Sequence, residues 1–193
     1  MAHEWHNVGM SRFLIALAAF AAFMHGPALA QLPEGSNAPF FATAVAKGGV
    51  VGRFSLRAAL AEGPVVLYFY PKAFTHGCTL ETRAFAEAHD DFAAAGAAIV
   101  GMSVDDIATL KRFSTEECRG KFAVGVATPA IIDAYDVALR RKGLPAGLTN
   151  RTSYVIGQDG RIAFVHSDLD HRDHVKLTLA AVRKLAARKT TTD

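Results

Sequence analysis

Apolar positions along this chain change their spacing several times, and each change marks an element. Val65-Val66-Leu67-Tyr68-Phe69-Tyr70 is an unbroken run of apolar, β-branched and aromatic residues, opened by Gly63-Pro64 and closed by Pro71. It predicts a central strand buried on both faces. From Cys78 to Ala95 the spacing becomes helical (Leu80, Ala84, Phe85, Ala88, Phe92), with Gly96 where a helix C-cap belongs. Ala97 to Val104 reads as a second buried strand. Asp105 is the expected cap of the helix after it, whose inward face includes Ile107 and Leu110. Thr152–Ile156 and Ile162–His166 flank Asp159-Gly160, the signature of a hairpin. A last helix, about His171 to Arg188, sets Val175, Leu179 and Val182 on one stripe.

Strand, helix, strand, helix, hairpin and closing helix describe an α/β domain with a mixed central sheet flanked by helices. A right-handed crossover makes the first two strands parallel. The order is compatible with a thioredoxin-like fold, although other small α/β folds share it.

The first thirty residues follow a different logic. Arg12 precedes the apolar run Phe13–Met24, and Ala28-Leu29-Ala30 supplies an A-x-A site. This is the pattern of a secretory signal peptide, with cleavage after Ala30 and a mature domain over residues 31–193. The run is short of the roughly 20 residues that span a bilayer, so stable membrane insertion is not expected. The segment before Met10 is unlike an n-region, which makes Met10 an alternative start. The expected destination is outside the cytoplasm, in a bacterial periplasm.

Composition narrows the function classes. The net charge is only +3, with no Lys/Arg block, so nucleic-acid binding has little support. Cys78 and Cys118 are the only cysteines, and an even pair in an exported chain ordinarily suggests a structural disulfide. Their surroundings argue otherwise. Cys78 falls in the first turn of a helix that leaves a buried strand, where unpaired N–H groups and the positive dipole end favour thiolate over thiol. Thr75 can offer a hydroxyl to that sulfur or to a group approaching it, and Pro71 fixes the backbone and shields the sulfur from bulk water. His76 and Cys78 are two residues of metal-binding type without a cluster, so no metal or other cofactor is expected, and His76 is read as a loop residue.

The spacing P-x-x-x-T-x-x-C resembles the active-site motif of the peroxiredoxins. The frame VVLYFYPKAFTHGCTLE resembles their Q-type subfamily, the bacterioferritin comigratory proteins. LPEGSNAPFF, IVGMSVDD and NRTSYVIGQDGRIAFVH extend the similarity over roughly residues 32 to 186. His76 departs from the subfamily, which usually has proline there.

The resemblance implies a thioredoxin-like fold and a thiol peroxidase in which Cys78 attacks a hydroperoxide, hydrogen peroxide or organic. It assigns Arg151 as the arginine that stabilises the thiolate and the departing oxygen. Glu81, one turn into the Cys78 helix, is placed to hold an arginine in position. It further implies a thioredoxin-like reductant, and self-association no stronger than a weak homodimer is expected.

The Cys78 sulfenic acid formed by attack can condense with a second thiol. Many Q-type members carry that thiol five residues on, where this chain has Arg83. Cys118, near the end of the helix starting about Asp106, is the remaining candidate within the chain. The helix dipole disfavours a thiolate there, and a helix end can fray. Against this stands an inert Cys118 in an enzyme resolved by an external thiol. A reading of another class, a thioredoxin-fold thiol–disulfide oxidoreductase or electron carrier, lacks the C-x-x-C such proteins use.

Overall fold

The computed structural model describes Met1, residues 31–143 and residues 145–192, so all of the predicted leader but Met1 lies outside it. The strands are β1 (Ala42–Lys47), β2 (Val50–Ser55), β3 (Val65–Phe69), β4 (Ala98–Ser103), β5 (Ala123–Val126), β6 (Thr152–Ile156) and β7 (Ile162–Ser167). The helices are α1 (Leu56–Glu62), α2 (His76–Glu87), α3 (His89–Ala94), α4 (Ile107–Glu116), α5 (Pro129–Ala134) and α6 (His174–Thr192). The strands form one mixed sheet in the order β2-β1-β5-β4-β3-β6-β7.

The strand predicted to be central is central. All of β3 is buried, and β4 lies parallel beside it, from Val65 opposite Ala98 to Phe69 opposite Met102. On its other side β6 runs antiparallel, from Val65 opposite Ile156 to Phe69 opposite Thr152. That antiparallel register brings the beginning of β6 to the end of β3, which decides where Arg151 goes.

Alternation along β3 divides the core. Val66, Tyr68 and Tyr70 join one buried cluster with Cys78, Phe85, Phe92, Leu110, Phe113, Cys118 and Val182. Val65, Leu67 and Phe69 face the opposite layer, with Leu56, Leu60, Ile131, Ile132, Tyr135 and Tyr154. Both cysteines therefore lie on the same side of the sheet.

Several predicted details are corrected. The helix expected over 78–95 begins at His76 and breaks at Ala88, whose φ of −84° and ψ of 0° leave the helical path. Asp90 and Asp91 then occupy the first turn of α3, where a helix dipole favours carboxylates. Asp106, rather than Asp105, caps α4, its Oδ1 accepting from the Thr109 amide at 2.7 Å. The last helix starts at His174, because Asp168 and Asp170 hold the preceding segment in turns by accepting from the Asp170 and Arg172 amides. The hairpin of β1 and β2, with α1, β5 and α5, was not predicted. Its turn signal was present in Gly48-Gly49, both of which take positive φ. Among the described residues no helix is long and apolar enough to cross a membrane.

Candidate active site

β3 hands the chain to Cys78 through a loop anchored at several points. The Tyr70 amide donates to the Met102 carbonyl at 3.0 Å, and the Thr149 hydroxyl donates to the Tyr70 carbonyl at 2.7 Å. The Ala73 amide donates to Asp105 Oδ2 at 2.7 Å, and the Ser103 hydroxyl supports the same oxygen at 2.8 Å. Asp105 thus anchors the loop rather than the helix. Phe74 adopts φ of 61°, uncommon for a residue with a Cβ. Its ring meets the edge of Phe113 at 5.1 Å and lies under the Arg112 guanidinium at 5.0 Å. Packing on both sides holds a backbone conformation that local preference resists.

Cys78 is the third residue of α2, 1% exposed. Arg151, immediately before β6, is 4% exposed. Its Nη2 donates to Cys78 Sγ at 3.4 Å, its Nη1 donates to Glu81 Oε2, and its Nε donates to the Leu169 carbonyl at 2.9 Å. A Cβ at position 77 would lie 3.3 Å from Arg151 Nη2, so Gly77 leaves room for the guanidinium. The sequence-predicted Cys78, Arg151 and Glu81 are therefore assembled from α2 and the start of β6. Half-buried Pro71 stands between the end of β3 and the loop.

Thr75 is at the N-cap of α2, but its hydroxyl makes no capping bond and donates to the Lys72 carbonyl at 2.9 Å. The expected bond to Cys78 is not made, since the hydroxyl proton is taken by the nearer backbone acceptor. His76 is exposed on the first turn.

Electrostatics follow from burial. Burial pushes the Glu81 carboxyl up to about 8, partly opposed by Arg151. Burial alone would pull the Arg151 guanidinium down, yet Glu81 and Cys78 together outweigh it. His174, the first residue of α6, was missed by sequence reasoning. It is fully buried and pulled down to about 4, chiefly by burial. Its Nδ1 lies 2.8 Å from the Ser153 hydroxyl and 3.6 Å from Glu81 Oε1, and its Nε2 lies 2.9 Å from the Asp168 carbonyl.

Cys118 sits two residues beyond α4, fully buried, in a turn where Arg119 and Gly120 both take positive φ. Its amide donates to the Phe113 carbonyl at 3.2 Å. Arg83 Nε pairs with Glu117 Oε2 at 2.6 Å, pinning this turn to α2. Burial pushes the Cys118 thiol well up, and Glu117 adds to the shift. Both cysteines are free thiols. The buried Tyr70 ring has both sulfurs in its electrostatic surroundings.

A family model described as AhpC/TSA matches residues 35–165. The chain belongs to that family. It is a peroxiredoxin, hence a thiol-dependent peroxidase. A chloroplastic peroxiredoxin Q of Oryza sativa subsp. japonica is 29% identical over 175 residues, 82% of this chain and 77% of that one. Among solved structures, a peroxidoxin of Mycobacterium tuberculosis is similar at a TM-score of 0.70 and 28% identity, over 80% of this chain and 98% of the other. A Xanthomonas campestris peroxiredoxin Q is similar at a TM-score of 0.64 and 27% identity, over 74% of this chain and 90% of the other. The thioredoxin-like fold read from the sequence is the fold these neighbours share.

In this peroxiredoxin the motif spacing pointed to Cys78 and the resemblance to Arg151, and the structure brings the two together. Asp105 and Ser153 lie in stretches that carry the resemblance, yet nothing there gave the contacts they make, and His174 and the Leu169 carbonyl gave no motif signal. Each acts through a contact between residues distant in the chain or through the backbone.

Proposed function

We propose that Cys78 Sγ, as thiolate, attacks the outer oxygen of a hydroperoxide. The S–O bond forms as the O–O bond breaks, and the departing alkoxide or hydroxide takes a proton to leave as alcohol or water. Sulfur is oxidised to a sulfenic acid and the peroxide is reduced by two electrons. The observation that carries the reading is Arg151 Nη2 at 3.4 Å from Cys78 Sγ, next to the N-terminus of α2. The fixed cation stabilises the nucleophile and offsets the charge growing on the leaving oxygen. Thr75 lies at the same helix end and Glu81 steadies the arginine.

Cys118 then condenses with the sulfenic acid, releasing water and forming a Cys78–Cys118 disulfide, which a thioredoxin-like dithiol reduces. Support comes from the common face of the two sulfurs and from Arg119-Gly120 beside Cys118, a strained turn suited to local opening. Cys118 must leave full burial to react, so resolution requires that opening.

Cys78→Ser is expected to abolish peroxide consumption, and activity retained there rules the assignment out. Cys118→Ser is expected to consume one equivalent of peroxide and then stop with a dithiol donor. Intact mass after oxidation checks the pairing: a wild-type protein with no intramolecular link is resolved by an external thiol. Export with cleavage after Ala30 belongs to the same reading. N-terminal sequencing of secreted material should start at Gln31.

A further inference from the structure

Glu81 presents one carboxyl oxygen, Oε2, to Arg151. The other, Oε1, is buried with no hydrogen bond and lies 3.6 Å from His174 Nδ1. The ring tautomer follows from its far side. Nε2 faces the Asp168 carbonyl at 2.9 Å, and a carbonyl only accepts, so Nε2 carries the hydrogen. Nδ1 of the neutral ring is then a lone pair, receiving the Ser153 hydroxyl at 2.8 Å. A carboxylate oxygen and an imidazole lone pair repel, whereas one proton between them reverses the sign.

We propose that Glu81 and His174 jointly hold one proton, which makes His174 a positioning residue that leaves the charge of Arg151 to the Cys78 thiolate. With that proton the buried group counts one thiolate, one guanidinium and a neutral carboxyl–imidazole pair. Without it the group carries a net negative charge away from water, the costlier state. The opposed shifts agree, with Glu81 raised to about 8 and His174 lowered to about 4 by burial, so one proton stays with the pair between those limits.

Other groups face the pair from every side. Arg151 faces it from the start of β6 and Tyr68 from β3. His166 of β7 meets the His174 ring at 4.5 Å between centroids, and Asp168 approaches from the loop before α6.

The inference rests on Cys78 as the attacking sulfur. Its test is the rate of peroxide reaction of the reduced full-length protein from about pH 5 to about pH 10. Wild type should lose rate on the alkaline side, where Glu81 becomes an anion and competes for the guanidinium. His174→Gln puts an amide donor against Oε1, favours the carboxylate, and should move that fall by about one unit to lower pH, a tenfold change in proton affinity. Ser153→Ala frees Nδ1 for the shared proton and should move it to higher pH. A purely structural histidine would lower the melting temperature and leave the fall in place. Superimposable alkaline limbs in wild type and both variants overturn the proposal. So does the absence, at neutral pH, of a protonated-carboxyl band in wild-type infrared spectra that Glu81→Gln removes. If His174→Gln does not fold, Ser153→Ala and the infrared band decide. Failure of Cys78 to react at all overturns the underlying assignment instead.

Discussion

Replacing Arg151 by lysine keeps the charge and deletes the fork. The guanidinium makes three donations at once: to Cys78 Sγ at 3.4 Å, to Glu81 Oε2, and to the Leu169 carbonyl at 2.9 Å. An ammonium is a compact point charge that can take one of these places. Two unit charges 3.4 Å apart attract by about 5 kcal/mol at an effective dielectric of about 20. The guanidinium charge is delocalised over three nitrogens, of which Nη2 alone faces the sulfur, so about half of that reaches it. A lysine settling on Glu81 Oε2 or the Leu169 carbonyl, oxygen acceptors that suit a compact ammonium, removes most of this share, about 2–3 kcal/mol. The expected loss is about 30- to 160-fold in the rate of Cys78 oxidation. The only tryptophan is Trp5, in the predicted leader, so protein cleaved after Ala30 would offer no tryptophan signal. Competition against a haem peroxidase for limiting hydrogen peroxide gives the rate constant. A folded Arg151→Lys within about threefold of wild type would refute the claim that fork geometry, beyond charge, serves the sulfur.

Stability against pH should show the two buried groups separately. Glu81 is raised from 4.5 to about 8, so its stabilising share is complete below pH 4.5 and lost as pH rises through 8. His174 is lowered from 6.5 to about 4, so its share is complete above pH 6.5 and lost as pH falls through 4. The slopes of these two groups cancel between about pH 4.5 and 6.5, and between pH 6.5 and 8 the Glu81 share lost by wild type, measured against Glu81→Gln, should be about 2 kcal/mol. Urea titrations check this, and Glu81→Gln should flatten the alkaline fall. Arg83→Ala removes the pair with Glu117, whose arginine is 47% exposed, so the loss is at most about 1 kcal/mol. It should speed Cys78–Cys118 disulfide formation up to about fivefold by quenched-flow mass analysis, and a slower reaction would show that the pair guides the opening.

The local grammar of the chain determined much of this protein. Val65–Tyr70 and Ala97–Val104 announced buried strands because their residues are apolar on both faces. Asp159-Gly160 announced the hairpin because its turn needs positive φ, which Gly160 adopts. Thr75 and Cys78 announced a sulfur at a helix start because the strand, loop and helix are contiguous. Such signals need only neighbours in the chain. The tertiary structure decided the rest. Asp105 and Asp106 are adjacent carboxylates of equal capping ability, and only the approach of the Ala73 amide gives one to the loop and the other to α4. Full burial of Cys118 depends on Arg83–Glu117 and on a cluster drawn from several elements, none of it visible in its own helix. Arg151 could be named by resemblance, but its reach to Cys78 comes from the antiparallel register of β3 and β6. The meeting of Glu81 with His174, 93 positions apart in the chain, has no local signature at all. Charge and proton affinity inside a protein are set by what burial brings together, and burial belongs to the fold rather than to any segment of it.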